Sequence, residues 1–366
     1  MLVLSGCATN PTSIQTSYTE PARSQEATKL RRVAVIPFTP MRGDDVTPNI
    51  ELVLAEAKVD GMQFYTVVER AKLDATFTEL RLAASGVLDP NTVSRVGKVV
   101  GANGVYTGAV TKFNVTNQPY AENRSACAYY VNKTDKKGKS YQECGGMREW
   151  TVQCTKRTAT YAFIPKLIGV ESAVIKYSRE AVGVATSSAC PDSGVGLKDG
   201  QELLSAAKDA AINEFRADVT PHTVRTSLVL LEDDQFIKAE SSKTAFKMGV
   251  TFAKGGRLDR ACEIWSGINE SASPDLLYNQ GLCTELLGNN LTDASALYVA
   301  ADRLTTKPVP AIGAALGRVA KKQEDNLKLA SQALATQQEA LKQSQQEAPV
   351  QNSGPSSAVK ADARKR

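Results

Sequence analysis

Hydrophobic positions follow a period of two in some stretches of this chain and a period near 3.6 in others. Arg31 to Phe38 contains the short β-branched run Val33-Ala34-Val35-Ile36, closed by Pro37, and predicts a strand. Thr47-Pro48 reads as a helix start, continued by Leu52, Val53, Ala55 and Ala57. Phe64 to Val68 predicts a second strand. Glu69-Arg70 opens a helix to about Ser85, with Leu73, Phe77 and Leu80 on one face. Asp89-Pro90 starts another, with Val93, Val96 and Val100 inward, and Gly101 to Gly104 breaks it. A long strand is expected from Val105 to Val115, and two more at about 150–168 and 172–187, joined at Gly169-Val170-Glu171. Asp199 caps a helix to about Phe215, striped by Leu203, Leu204, Ala207, Ala210 and Ala211. Residues 29–226 therefore predict an α/β domain, a mixed sheet flanked by helices.

Within that domain, 116–157 interrupts the periodic segments and reads as an insertion rich in turns. It holds Cys127, Cys144, Cys154 and Trp150, the glycines at 145–146 and the charged run 133–139, expected to be a solvated loop tip. Tyr120, Tyr129, Tyr130 and Tyr141 are read as packing or contact residues. A membrane strand needs about 9–11 residues with apolar outward positions. Residues 125–131 alternate poorly and 149–165 are partly polar on both faces, so membrane strands are not expected.

Beyond 227–240, placed as a linker in which Ser227 to Ile237 reads as linker or short strand, the pattern turns helical. Phe246, Gly249, Phe252, Ala253, Gly256, Ala261 and Trp265 are echoed by Tyr278, Gly281, Leu287, Gly288, Ala294 and Tyr298 about one repeat later. This resembles two tetratricopeptide repeats, in which a small residue lets paired helices approach and aromatics fill the space between them. The helical domain is placed at 241–320. Phe246, Phe252, Trp265, Tyr278 and Tyr298 mark a candidate partner-binding region, for an envelope-machine or appendage protein. In the polar tail, 321–366, Leu327, Leu334 and Leu341 recur at seven, a coiled-coil spacing, before a stretch expected to be disordered.

Composition narrows the chemistry. One histidine, His222, serves the whole chain, which argues against Cys-His, Ser-His and multi-histidine metal sites. The glycines at 97, 101, 104 and 108 form no nucleotide fingerprint. No enzyme activity, cofactor or metal is expected. The net charge of +5 is spread along the chain, so nucleic acid is not implied.

The address lies at the start. Leu4-Ser5-Gly6-Cys7 resembles a lipobox, which makes Cys7 the candidate lipidated residue, and residues 1–28 read as signal remnant and flexible tether. Ala8 in place of aspartate implies the outer membrane, with the bulk of the chain periplasmic. Six other cysteines, Cys127, Cys144, Cys154, Cys190, Cys262 and Cys283, suit an oxidising compartment. Cys262 is expected to pair with Cys283, and the other four among themselves in one of three ways.

The succession VAVIPF, GMQFYTVVER, LDATFTELRLAASGVLD and VGKVVGANGVYTGAV resembles the curli secretion-channel (CsgG-like) superfamily over about 31–115, and more loosely to Phe215. The resemblance implies a periplasmic α/β domain on a lipid anchor that self-associates in a ring. In channel members β-hairpins join into one barrel narrowed by a constriction loop. Thr39 to Thr47 falls at that loop and lacks its aromatic pattern. The expected function is an oligomeric outer-membrane scaffold or assembly factor. The alternatives are a secretion channel with a transmembrane barrel and a periplasmic regulator of a cell-wall synthase.

Overall fold

The computed structural model describes residues 13–59, 61–79, 89–269 and 271–347. Cys7, the end of the second predicted helix at 80–85 and the tail beyond 347 lie outside them.

The chain begins with β1 (Ser13–Glu20), a short 3-10 turn (Ala27–Lys29) and β2 (Arg32–Val35). Then come α1 (Thr47–Glu56), the short strands β3 (Lys58–Val59), β4 (Met62–Gln63) and β5 (Thr66–Val67), α2 (Arg70–Glu79) and α3 (Pro90–Val100). Two long strands follow, β6 (Gly104–Thr134) and β7 (Ser140–Gly169), then β8 (Val174–Ser178), β9 (Ala181–Ala189), α4 (Gly200–Val219) and β10 (His222–Val229). Five helices end the described chain: α5 (Glu240–Lys254), α6 (Leu258–Ser266), α7 (Pro274–Leu286), α8 (Leu291–Leu304) and α9 (Pro310–Glu347).

The main sheet has the order β5-β2-β6-β7-β8, with β9 also pairing β7. Its β2 pairings are parallel and its β6, β7, β8 and β9 pairings antiparallel, so the sheet is mixed. Alternation sorts β2 between two cores. Val33 and Val35 pack with α1 and α4 around Tyr106, Phe163 and Phe215. Ala34 and Ile36 pack with α2 and α3 around Phe77, Val93 and Val100. The predicted caps form: the Asp89 carboxylate accepts the N–H groups of Asn91 and Thr92, and that of Asp199 accepts Gln201 N–H. Gly183 is fixed by contact, since a Cβ there would lie 1.8 Å from the Ala207 carbonyl of α4.

Three expectations are corrected. Residues 13–20 are no tether; they pair with β10 from Ser13↔Val229 to Glu20↔His222. That pairing also draws His222 out of the predicted turn into a strand, and of the two readings for the segment from Ser227 the strand holds as far as Val229. Alternate side chains such as Ile14 and Leu228 reach the helical core, which stabilises a ribbon whose other positions are polar. The third concerns 116–157. It is no irregular insertion but the continuation of β6 and β7, paired from Val115↔Ala159 to Thr134↔Ser140.

Candidate functional site

The extended β6–β7 hairpin is the feature that the fold itself does not consume. The strands contain 31 and 30 residues, and β9 accompanies β7 only as far as Thr155↔Ala189. Residues 120–134 and 140–154 therefore form a two-stranded arm about 50 Å long at ~3.3 Å per residue. A free hairpin is marginal in water, and this one is braced. Cys154 and Cys190 are bridged where β9 leaves the sheet, with Cα atoms 4.2 Å apart. Cys127 and Cys144 are bridged across the arm, with Cα atoms 5.6 Å apart. Beside that second bridge the register shifts, and the Tyr129 ring lies over Gly145 and Gly146.

One face of the arm is mixed and the other is polar. One carries Tyr120, Glu122 and Arg124 opposite Cys154, Val152 and Trp150; the other carries Ala121, Asn123 and Ser125 opposite Gln153, Thr151 and Glu149. Arg124 pairs with Glu122 at 2.8 Å and Asp192 at 3.2 Å, and Lys133 with Glu143 at 2.6 Å. Arg157 donates to the Asn117 amide oxygen and the Lys198 carbonyl at the base. Lipid-facing strands carry an apolar position at every second residue across a band about 25 Å tall; here Trp150, Val152 and Cys154 make only a short run, faced by Glu122 and Arg124 and ended by Arg148. The outer edge of β6 also carries Pro119, which has no N–H to give a neighbour. Residues 133–139 form the tip, as expected: Asp135 accepts the Lys137 and Lys139 N–H groups, and Gly138 takes φ 78°.

The Thr39 to Thr47 segment is bound to the domain. Asp44 accepts Lys208 Nζ at 3.0 Å and the Tyr161 hydroxyl at 2.6 Å, while the Thr47 hydroxyl accepts Phe38 N–H. Glu122, Cys154 and Cys190 lie close enough to hold an ion, yet the two sulfurs are bonded to each other and so offer no thiolate. An open groove of about 340 Å³ lies on the α3 side of β6 and β7, between Asp89, Thr107, Ile164, Lys166 and Ile175.

In the helices, α5–α6 and α7–α8 form successive pairs with the expected internal logic. A Cβ on Gly249 would lie 2.3 Å from the Trp265 indole nitrogen, and one on Gly281 2.5 Å from the Tyr298 ring. Cys262 and Cys283 are bridged, joining α6 to α7. The candidate partner-binding residues are corrected here: Phe246, Trp265, Tyr278 and Tyr298 are buried and Phe252 is half-buried. They fill the helix interfaces, so four of them present no surface to a partner.

Two carboxylates in this part are displaced in opposite directions. Burial would raise Glu285, but bonds from Arg318, Lys322 and the Tyr298 hydroxyl overcome it and hold the group below the usual range. Asp275 is pushed up to about 6 by burial, against the bond it accepts from Asp233 N–H, with the Asp233 charge adding to the rise. Sequence reasoning missed both, because they depend on α9 and on the 230–237 segment folding back onto α7.

The family described as the curli production assembly/transport component CsgG matches the chain over residues 42–235. No curated protein matches it. Among solved structures, the LpoB C-terminal domain from Salmonella enterica is 11% identical, over 44% of this chain and 94% of its own, with a TM-score of 0.25. The PelC dodecamer from Paraburkholderia phytofirmans is 14% identical, over 57% and 100%, at 0.21. Lipoprotein GNA1162 from Neisseria meningitidis is 14% identical, over 50% and 97%, at 0.26.

Proposed function

The chain belongs to the family of the curli production assembly/transport component CsgG, and from that premise we propose that it is a self-associating envelope lipoprotein that scaffolds a larger machine or appendage. Cys7 carries the lipid, the α/β domain associates with copies of itself in a ring, and the helix pairs offer their outer surface to another component. The reading assigns no catalytic step.

The observation that carries the reading is the arm. It is about 50 Å of braced, ion-paired ribbon that adds nothing to either core of its own α/β domain. Its purpose therefore lies outside the single chain. The Arg124 ion pairs across the mixed face, the polar opposite face and Pro119 on the β6 edge suit an arm in water.

The length of β6 and β7 favours one second reading, a transmembrane barrel assembled from many copies, since each strand far exceeds the ~9–11 residues that span a bilayer. The two readings separate on one variant. With a complete signal peptide supplied, the scaffold with Cys7→Ser leaves the membrane fraction in buffer of about 1 M salt without detergent. A barrel with the same change stays in the membrane until detergent is added. Intact mass of the wild-type protein checks the anchor itself: a chain without lipid removes Cys7 from the account.

A further inference from the structure

The tip of the arm carries charge that the molecule does not neutralise. Among its lysines, Lys133 pairs with Glu143, and the Asp135 carboxylate is engaged by the backbone of the turn. Lys136, Lys137 and Lys139 are exposed, and no carboxylate among the described residues lies within ion-pair distance of them. Tyr141 and Tyr130 are exposed immediately behind, Tyr130 at 64%.

The direction of the arm follows from its neighbours. The N-terminus of α4, at Gly200, lies against Val115 at the arm's base. Its C-terminus lies at the other end of the domain, where the Val219 carbonyl accepts the Tyr65 hydroxyl. From there β10 runs into the helical core, and Ser13 pairs with Val229 beside it. Residue 13 and the arm's tip therefore leave the α/β domain at opposite ends.

We propose that the tip is an electrostatic foot that rests on a bilayer surface bearing anionic phospholipid headgroups, on the side of the molecule away from residue 13. Three neighbouring ammonium groups on flexible stems need only a plane of negative charge, not a shaped pocket. Tyrosines beside them match the headgroup level, where aromatic rings with a polar end are favoured. A protein partner fits less well, because the end of a two-stranded ribbon offers far less than the ~800 Å² per side of a stable interface. Copies held together multiply a weak single contact. The lipid contact stands without the proposed anchor; only the claim that the molecule bridges two surfaces rests on Cys7.

The test uses the full chain with Cys7→Ser, so that no acyl chain contributes, and flotation with vesicles. The chain is expected to float with phosphatidylglycerol-containing vesicles and not with pure phosphatidylcholine, and to be released at about 1 M salt, where the Debye length falls to ~3 Å. Changing Lys136, Lys137 and Lys139 together to Glu is expected to cut binding about a hundredfold or more at ~1 kcal/mol per lysine, with the melting temperature unchanged. A parent that ignores phosphatidylglycerol, or binds phosphatidylcholine equally, overturns the proposal. So does a triple variant that floats like the parent.

Discussion

Gly249 and Gly281 occupy matching places in successive helix pairs, each pressed against an aromatic ring. Their role was legible in the sequence, because a small residue and an aromatic recur together one repeat apart. Gly249→Val should therefore cost about 1–3 kcal/mol through overpacking against Trp265, read by denaturant unfolding. Gly313 in α9 has open space around it, and Gly313→Ala should gain about 0.5–1 kcal/mol from helix propensity alone. Equal effects at the two sites would refute the packing account. Asp275 carries a pH prediction. Its folded pKa, about 6, lies above the ordinary aspartate value of 3.8, so the folded state holds the proton more tightly than the unfolded one. Its contribution to stability is therefore favourable below about pH 4 and lost as pH rises through 6. Asp275→Asn keeps an acceptor for Asp233 N–H and should stabilise the helices at pH 7.5 but not at pH 4. A stabilisation independent of pH would point to another cause.

At the scale of elements, the helix caps and the strands with one buried face were readable, because burial imposes a period. The arm was not. Beyond Cys154 neither of its faces is buried in a core, so residues 116–134 and 140–149 carry no sustained hydrophobic alternation, and Gly145-Gly146 and the lysine run read as turns. Its order comes from pairing between distant residues and from the Cys127–Cys144 bridge. Removing that bridge with Cys127→Ser and Cys144→Ser should leave global unfolding within about 1 kcal/mol, well below the 2–4 kcal/mol of a bridge that constrains a whole domain. Protease cleavage between residues 128 and 143 should speed up. A large loss of global stability would mean that the arm folds as part of the core. The heptad of leucines in α9 was also visible, yet its orientation was not. Gln332 and Thr336 are buried, and Gln332 meets Ala22 and Arg31. Leu327 and Leu334 instead face outward at 75% and 58% exposure. Replacing both with Glu should shift the melting temperature by no more than about 2 °C, as for surface changes away from special features; a larger drop would place them in an interface that stabilises the fold.

At the scale of the whole molecule, the described chain is an α/β domain with a core on each side of its sheet, a helical unit with a third core, and an arm. The helical unit sits beside β1 and β10, α9 reaches back from it to the α/β domain, and the arm leaves from the far end. Family membership was legible from the first strands and helices, because those segments are local and periodic. The long axis was not, since it depends on β1 pairing with β10 across the chain. Such a shape suits assembly. A lipid anchor would hold copies in one plane, where repeated lateral contacts between rigid α/β domains close into a ring if their rotation divides the circle. Self-association is therefore the claim on which the account rests. The direct measurement is the native mass of the lipidated chain, extracted in mild detergent, over a range of protein concentrations. The account predicts one closed oligomer with a fixed number of copies, retained on dilution. A mass that stays at one chain throughout, with the lipid present, would contradict it.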